Sequence, residues 1–214
     1  MRSLTPLEAR VLGVLIEKQH TVPDTYPMSL NALVGGCNQK TARDPVIEAT
    51  DAEVLTALDG LKGLSLVFEG SGSRVVKFEQ NLGRVLQLPG QSVALLAVLM
   101  LRGAQTGAEL RLNSERLHRF ADISSVEGFL DELAIKQPPR VVKLARAAGA
   151  REARWAHLLC GEVTAPAWQV TSSESEVSAG ELAALKAEQT RLAAELDSLR
   201  ALVQRMAHEL GINP

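Results

Sequence analysis

Apolar residues recur along most of this chain at spacings of three and four, the pattern of helices that bury one face. Leu7, Val11 and Leu15 make one such stripe, Leu30, Leu33, Val34 and Cys37 a shorter one, and Val54, Leu58 and Leu61 a third. Helix-start signals accompany the pattern. In a capping box a Ser or Thr side chain accepts the backbone N–H three residues on, and a Glu there reaches back to the cap. That spacing occurs at Thr5–Glu8, with Pro6 in the first helical position, and at Thr50–Glu53, Thr106–Glu109, Ser124–Glu127 and Ser178–Glu181. Each precedes an apolar run and predicts a helix start.

Between these helices the period shortens to two. Residues 64–69 and 74–79 read as strands around the turn Gly70-Ser71-Gly72-Ser73, and residues 141–144 and 154–159 as strands around a turn near Gly149. The two blocks look like one unit used twice. Leu58-Asp59 and Leu61 match Leu130-Asp131 and Leu133 at an offset of 72, which widens to 80 at Leu30 and Leu110 and to 85 at Thr21 and Thr106. The first copy therefore carries extra loop, mainly in residues 37–49. Helix, short helix, longer helix and hairpin is the order of a winged helix-turn-helix. The expected class is mainly α with small β-hairpins, built as tandem winged helix-turn-helix units over residues 1–86 and 87–161.

The remainder has a different texture. Residues 162–177 are rich in Ser, Thr and Glu without a period and read as a linker. Over residues 178–212, Leu182, Leu185, Gln189, Leu192, Leu196, Leu199, Val203, Met206 and Leu210 step by three and four without a break. That is a heptad seam, with Gln189 the polar a residue that fixes register, and it predicts a coiled-coil helix that pairs two copies of the chain.

Composition narrows the class further. Of 214 residues, 46% are hydrophobic and 22% charged, which fits a globular chain rather than a disordered one. The longest apolar run, residues 93–101, is too short to span a bilayer, and the opening MRSLTPLEAR has no apolar stretch of a leader. A cytoplasmic protein without membrane contact is expected. Cys37 and Cys160 are too few for a disulfide framework, and His20, His118, His157 and His208 lie apart with no zinc-ligand spacing. No phosphate loop or nucleophile elbow occurs, so neither an enzyme nor a cofactor is expected. Charge differs by segment: 9 basic and 10 acidic residues in 1–86, 10 and 7 in 87–161, and 4 and 8 in 162–214.

Certain stretches carry a family resemblance. They are Tyr26-Pro27-Met28-Ser29-Leu30-Asn31-Ala32-Leu33, Cys37-Asn38-Gln39-Lys40, and Leu101-Arg102-Gly103-Ala104-Gln105-Thr106 with Glu109-Leu110-Arg111. Together with the closing segment from Arg151 to Leu159 they resemble the YceH-like family of bacterial cytoplasmic proteins, which is similar to tandem winged-helix proteins. The resemblance covers residues 5–161, departing at Gly107-Ala108 and Trp155, and it implies no catalytic or ligand-binding residue.

Two readings of the candidate chemistry stay open. Asn38, Gln39, Lys40, Arg43 and Asp44 form either a phosphate- or base-contacting loop or a buried turn, with Asp44-Pro45 starting a helical turn as cap and first residue. Cys37, on an apolar face, reads as a structural thiol. The fold class implies a regulatory protein that binds double-stranded DNA, with a protein–protein adaptor as the alternative. The nucleic-acid candidates are Lys40, Arg43, Arg111, Arg116, Arg119, Arg140, Lys143, Arg146, Arg151 and Arg154. Against DNA, the third helix of each copy carries more Asp and Glu than Lys: Asp51, Glu53 and Asp59 against Lys62, and Glu127, Asp131 and Glu132 against Lys136.

The tail makes a direct prediction. An isolated helix of this length is marginal in water, so a buried seam has to hold it. The alternative is a helix folded back on the winged-helix units, which a linker reaching roughly 20–25 Å permits. Light scattering is expected to give a dimer for the full chain and a monomer for a chain ending at Gly161. Equal particle masses per chain would exclude pairing through the heptads.

Overall fold

The computed structural model describes residues 2–70, 75–146 and 152–163. Residues 71–74, the turn near Gly149, Arg151, the linker from residue 164, the Ser178 cap and the heptad seam from Leu182 to Leu210 lie outside the described residues. Residues up to Val163 form one compact unit, mainly helical with small antiparallel sheets.

Helix α1 (Pro6–Thr21) starts at the expected capping box: Glu8 N–H donates to Thr5 Oγ1 at 3.1 Å, and Thr5 N–H donates to the Glu8 carboxylate at 2.7 Å. Strand β1 (Met28–Ser29), helix α2 (Leu30–Cys37, capped by Ser29) and helix α3 (Asp51–Gly63, with the Thr50–Glu53 box) follow. Strands β2 (Val67–Gly70) and β3 (Lys77–Gln80) make the first hairpin. The short helix α4 (Leu82–Leu86) leads into α5 (Gly90–Arg102). Then come α6 (Gly107–Asn113, on the Thr106–Glu109 box), α7 (Ile123–Ile135), and the hairpin β4 (Val141–Lys143) and β5 (Trp155–His157). Helix α7 departs from expectation. Asp122, not Ser124, is its cap, because the Asp122 carboxylate accepts both the backbone N–H and the hydroxyl of Ser125 at 2.7 Å.

The sheets show how the copies correspond. In the first, β3 lies between β1 and β2, with Met28 opposite Phe78. In the second, β1 has shrunk to one residue: Gln105 and Trp155 exchange both backbone hydrogen bonds, at 3.0 and 2.7 Å. Ser29 and Thr106, each one residue further on, cap α2 and α6. Thr106 therefore matches Ser29, not Thr21, and buried Leu110 matches buried Leu33, not Leu30. Strand pairing and capping fix this register; spacing across loops of unequal length does not. The extra residues of the first copy also fall in two places, the turn Pro23–Thr25 as well as the loop after α2.

The core lies along α1 and α5. Helix α1 packs against α2, α3 and α5, and α5 packs against α1, α6, α7 and β5. With neighbours all around, every residue of α5 from Ser92 to Leu101 is buried, which accounts for the apolar run there. The two axes meet closely at Gly13, where a Cβ would stand 3.0 Å from Leu101 Cγ. Leu4 N–H donates to Leu159 O at 2.8 Å and ties the start of the unit to its end.

Two predictions follow from this packing. Leu58 and Leu130 are 1% and 0% exposed, on equivalent turns of α3 and α7. Leu58→Ala and Leu130→Ala are each expected to cost about 2–5 kcal/mol in urea unfolding, as buried leucine truncations do. Little change for Leu130→Ala would place the second core elsewhere. The other prediction concerns His157, whose Nδ1 is buried with no hydrogen-bond partner among the described residues; burial pushes its pKa down to about 4. The unfolded ring titrates near 6.5, so the unfolded chain takes up the proton first. The stability contributed by the neutral ring is complete above about pH 6.5 and is lost as pH falls toward 4. The melting temperature should drop over that window, and His157→Gln should flatten the drop.

Candidate functional site

The polar stretch after α2 is a clamp. Asn38 closes on Ala49 in both directions, its amide donating to Ala49 O at 2.8 Å and accepting from Ala49 N–H at 2.7 Å. Arg10, buried on α1, donates to Cys37 O at 3.2 Å and Pro45 O at 2.6 Å. Arg43 grips both oxygens of the Glu17 carboxylate, at 3.1 and 2.6 Å, and its Nε–H donates to Gly36 O at 3.1 Å. Burial would push the Glu17 carboxyl up, but Arg43 and then Lys18 outweigh it and hold it below the usual carboxylate range. Asp44 N–H donates to Leu101 O at 2.8 Å, so this loop of the first half fastens to the end of α5.

Expectation needs correcting at two of these residues. Arg43 is 6% exposed and committed to Glu17, so it offers nothing to a phosphate. Asp44-Pro45 starts no helical turn: residues 44–50 form no helix, and the backbone around them is held by Arg10, Asn38 and Leu101 instead. Cys37 is fully buried, and burial pushes its thiol up to about 11 against the pull of Arg10 and Arg43. It is a structural thiol.

The surface of the first half has a groove of about 460 Å³ between the N-terminus of α2, the outer face of α3 and the hairpin. Leu30, Leu55, Val75, Val76 and Phe78 make it apolar, and Asp51, Lys62 and Glu69 stand around it. Leu55 and Val76 are 42% and 47% exposed. Lys62 is held by Glu69 at 2.8 Å and Asp59 at 2.9 Å, and these bonds raise its pKa. Sequence reasoning passed over this groove. Its signal was Leu55, an apolar residue off the Val54–Leu58–Leu61 stripe, together with the pair Val75-Val76 beside the turn.

The second half gathers most of the remaining basic candidates, and three of those described stand beside carboxylates. Arg154 takes both oxygens of Glu109, at 2.8 and 3.0 Å, and also donates to Ala104 O. Lys143 stands 3.6 Å from Glu127 and 5.1 Å from the centre of the Trp155 ring. Arg119 is 4.0 Å from Glu115, and Arg111 donates to Ala121 O at 3.2 Å. Arg140 is partly buried, and burial lowers its pKa. Arg116 and Arg146 are exposed, as is Lys40 in the first half. On α7 the exposed positions include Asp131, Glu132 and Ile135, the last 78% exposed. Among the described residues no three His, Cys, Asp or Glu side chains gather as a metal site, and no helix is long and apolar enough to cross a membrane.

Comparison with known proteins agrees on one family. A family model described as "Protein of unknown function, DUF480" matches residues 4–150. A UPF0502 protein of Leptothrix cholodnii is 67% identical, over 99% of this chain and 97% of its own. A UPF0502 protein of Burkholderia multivorans is 67% identical over 100% of this chain and 92% of its own, and one of Paraburkholderia phytofirmans is 66% identical with the same coverage. The resemblance carried by the stretches around Tyr26–Leu33 and Cys37–Lys40 is thus borne out, and the chain belongs to the DUF480 family of UPF0502 proteins.

Proposed function

We propose that this chain is a non-enzymatic tandem winged-helix protein whose work is to bind another protein. The winged-helix reading is supported by the repeated order of elements. Helix, strand, helix, helix and hairpin run α1–β1–α2–α3–β2–β3 in the first half, and α5–Gln105–α6–α7–β4–β5 in the second. Pairing of two copies through the heptads of residues 178–212 belongs to the same proposal.

The observation that favours protein over DNA is the outward face of each third helix. A helix that reads DNA lies among phosphates, and its exposed side chains are cations or amides. Helix α3 instead exposes Asp51, Glu53, Leu55 and Asp59, and α7 exposes Asp131, Glu132 and Ile135. Carboxylates there oppose phosphate, while exposed aliphatic side chains favour an apolar partner. DNA binding of a regulatory kind is the second reading. It is supported by exposed arginines of the second half, Arg111, Arg116 and Arg119 on and after α6 and Arg146 after β4, a set of cations able to meet backbone phosphate.

Selection of random duplex DNA by the purified protein, followed by a salt titration, separates the two. The proposal expects no enriched motif and only non-specific affinity, with Kd about 10⁻⁴–10⁻⁶ M at physiological salt. Arg116→Ala with Arg146→Ala should then lower the slope of log K against log salt by up to about 2, at roughly 0.9 per phosphate released. An enriched motif bound at about 10⁻⁸ M or tighter would overturn the proposal in favour of a DNA-binding protein.

A further inference from the structure

We infer that the groove between α3 and the first hairpin takes a short apolar segment of another protein that is flanked by Lys or Arg. The inference rests on the protein-binding reading above and adds the chemistry of the partner. At about 460 Å³ the groove falls within the ~300–1,000 Å³ of ligand clefts. Its lining includes Leu30, Leu55, Val76 and Phe78, and the exposure of Leu55 and Val76 leaves it open along the surface, as a chain segment requires and an enclosed small molecule does not.

The rim selects the charge of the partner. Asp51, at the first turn of α3, and Glu69, on β2, line the groove, and Asp59 stands beside its Lys62. Among the described residues Lys62 is the cation that lines the groove, and it already bonds both Asp59 and Glu69. Its charge is met within the protein while Asp51 and Glu69 leave the described rim net negative, which repels phosphate or an acidic peptide and attracts a basic one. Apolar side chains would fill the floor and displace water from it, and Lys or Arg at the ends would meet the rim.

The test pans phage-displayed random dodecapeptides against the full chain and follows a fluorescein-labelled copy of the most enriched peptide by anisotropy. The enriched peptides are expected to combine two or more large apolar residues with neighbouring Lys or Arg. Leu55→Glu should weaken binding at least tenfold, and Val76→Glu, on the other wall, should do the same. Asp51→Lys should weaken binding and reduce its dependence on salt, whereas Leu112→Glu, at an exposed position of α6 outside the groove, should leave it unchanged. Melting curves on each variant separate lost binding from lost folding. An acidic consensus, no enriched peptide, or equal binding by the Leu55→Glu and Val76→Glu proteins would overturn the inference. Binding lost in Leu112→Glu alone would move the site to the second half while the protein-binding reading stands; a selected DNA motif would remove that reading itself.

Discussion

The packing of α1 on α5 is the contact on which the rest of the unit is arranged. Each helix brings its own half with it: α2 and α3 lean on α1, while α6, α7 and β5 lean on α5. Close approach depends on small side chains at the crossing, and Gly13 supplies one, with Leu101 seated where a Cβ would otherwise project. A second glycine works the same way within the first half. At Gly36 a Cβ would stand 2.6 Å from Val14 Cγ1, so α2 sits closer to α1 than a side chain would permit. Burial on every side then explains why α5 has no polar face to spare and why α1 hides Arg10 and Glu8.

Glu8 is met by Arg2 and by the Thr5 N–H, whereas Arg10 is met in part, its buried Nε having no hydrogen-bond partner among the described residues. An arginine in the interior is costly unless its donors are used and its charge is answered. Arg43 uses its fork on Glu17, and Arg10 spends its terminal nitrogens on carbonyls of the loop it supports. The result is a loop with little regular structure whose backbone is nonetheless held at both ends and in the middle. Through Asp44 the same loop reaches the end of α5, so a segment of the first half helps to hold the second.

Much of the fold was legible because it is written locally. The boxes at Thr5, Thr50 and Thr106 mark their helices, and Leu58 and Leu130 fall in the core, since caps and stripes depend on residues a turn apart. What stayed hidden depends on contacts between distant residues. The role of Arg43 is set by Glu17, on the other side of α2 in the chain, and a lone arginine in a loop does not announce its partner. Strand β1 and its one-residue counterpart at Gln105 are too short for a period to appear, and only pairing with Phe78 and Trp155 defines them. The basic candidates were also readable as charges but not as pairs. Arg154 meets Glu109 across a hairpin and a helix, a distance no spacing rule covers. The groove had a sequence signal in Leu55, but its meaning needed the hairpin beside it.

The bond from Leu4 N–H to Leu159 O brings the two ends of the unit to one edge. In topological terms the unit is close to a ring with a single opening. New ends could be cut at a surface loop and the old ones joined by a short bridge without disturbing the α1–α5 contact. By the same geometry, a unit of this kind can be carried as an insert within another chain, entering and leaving through the same door.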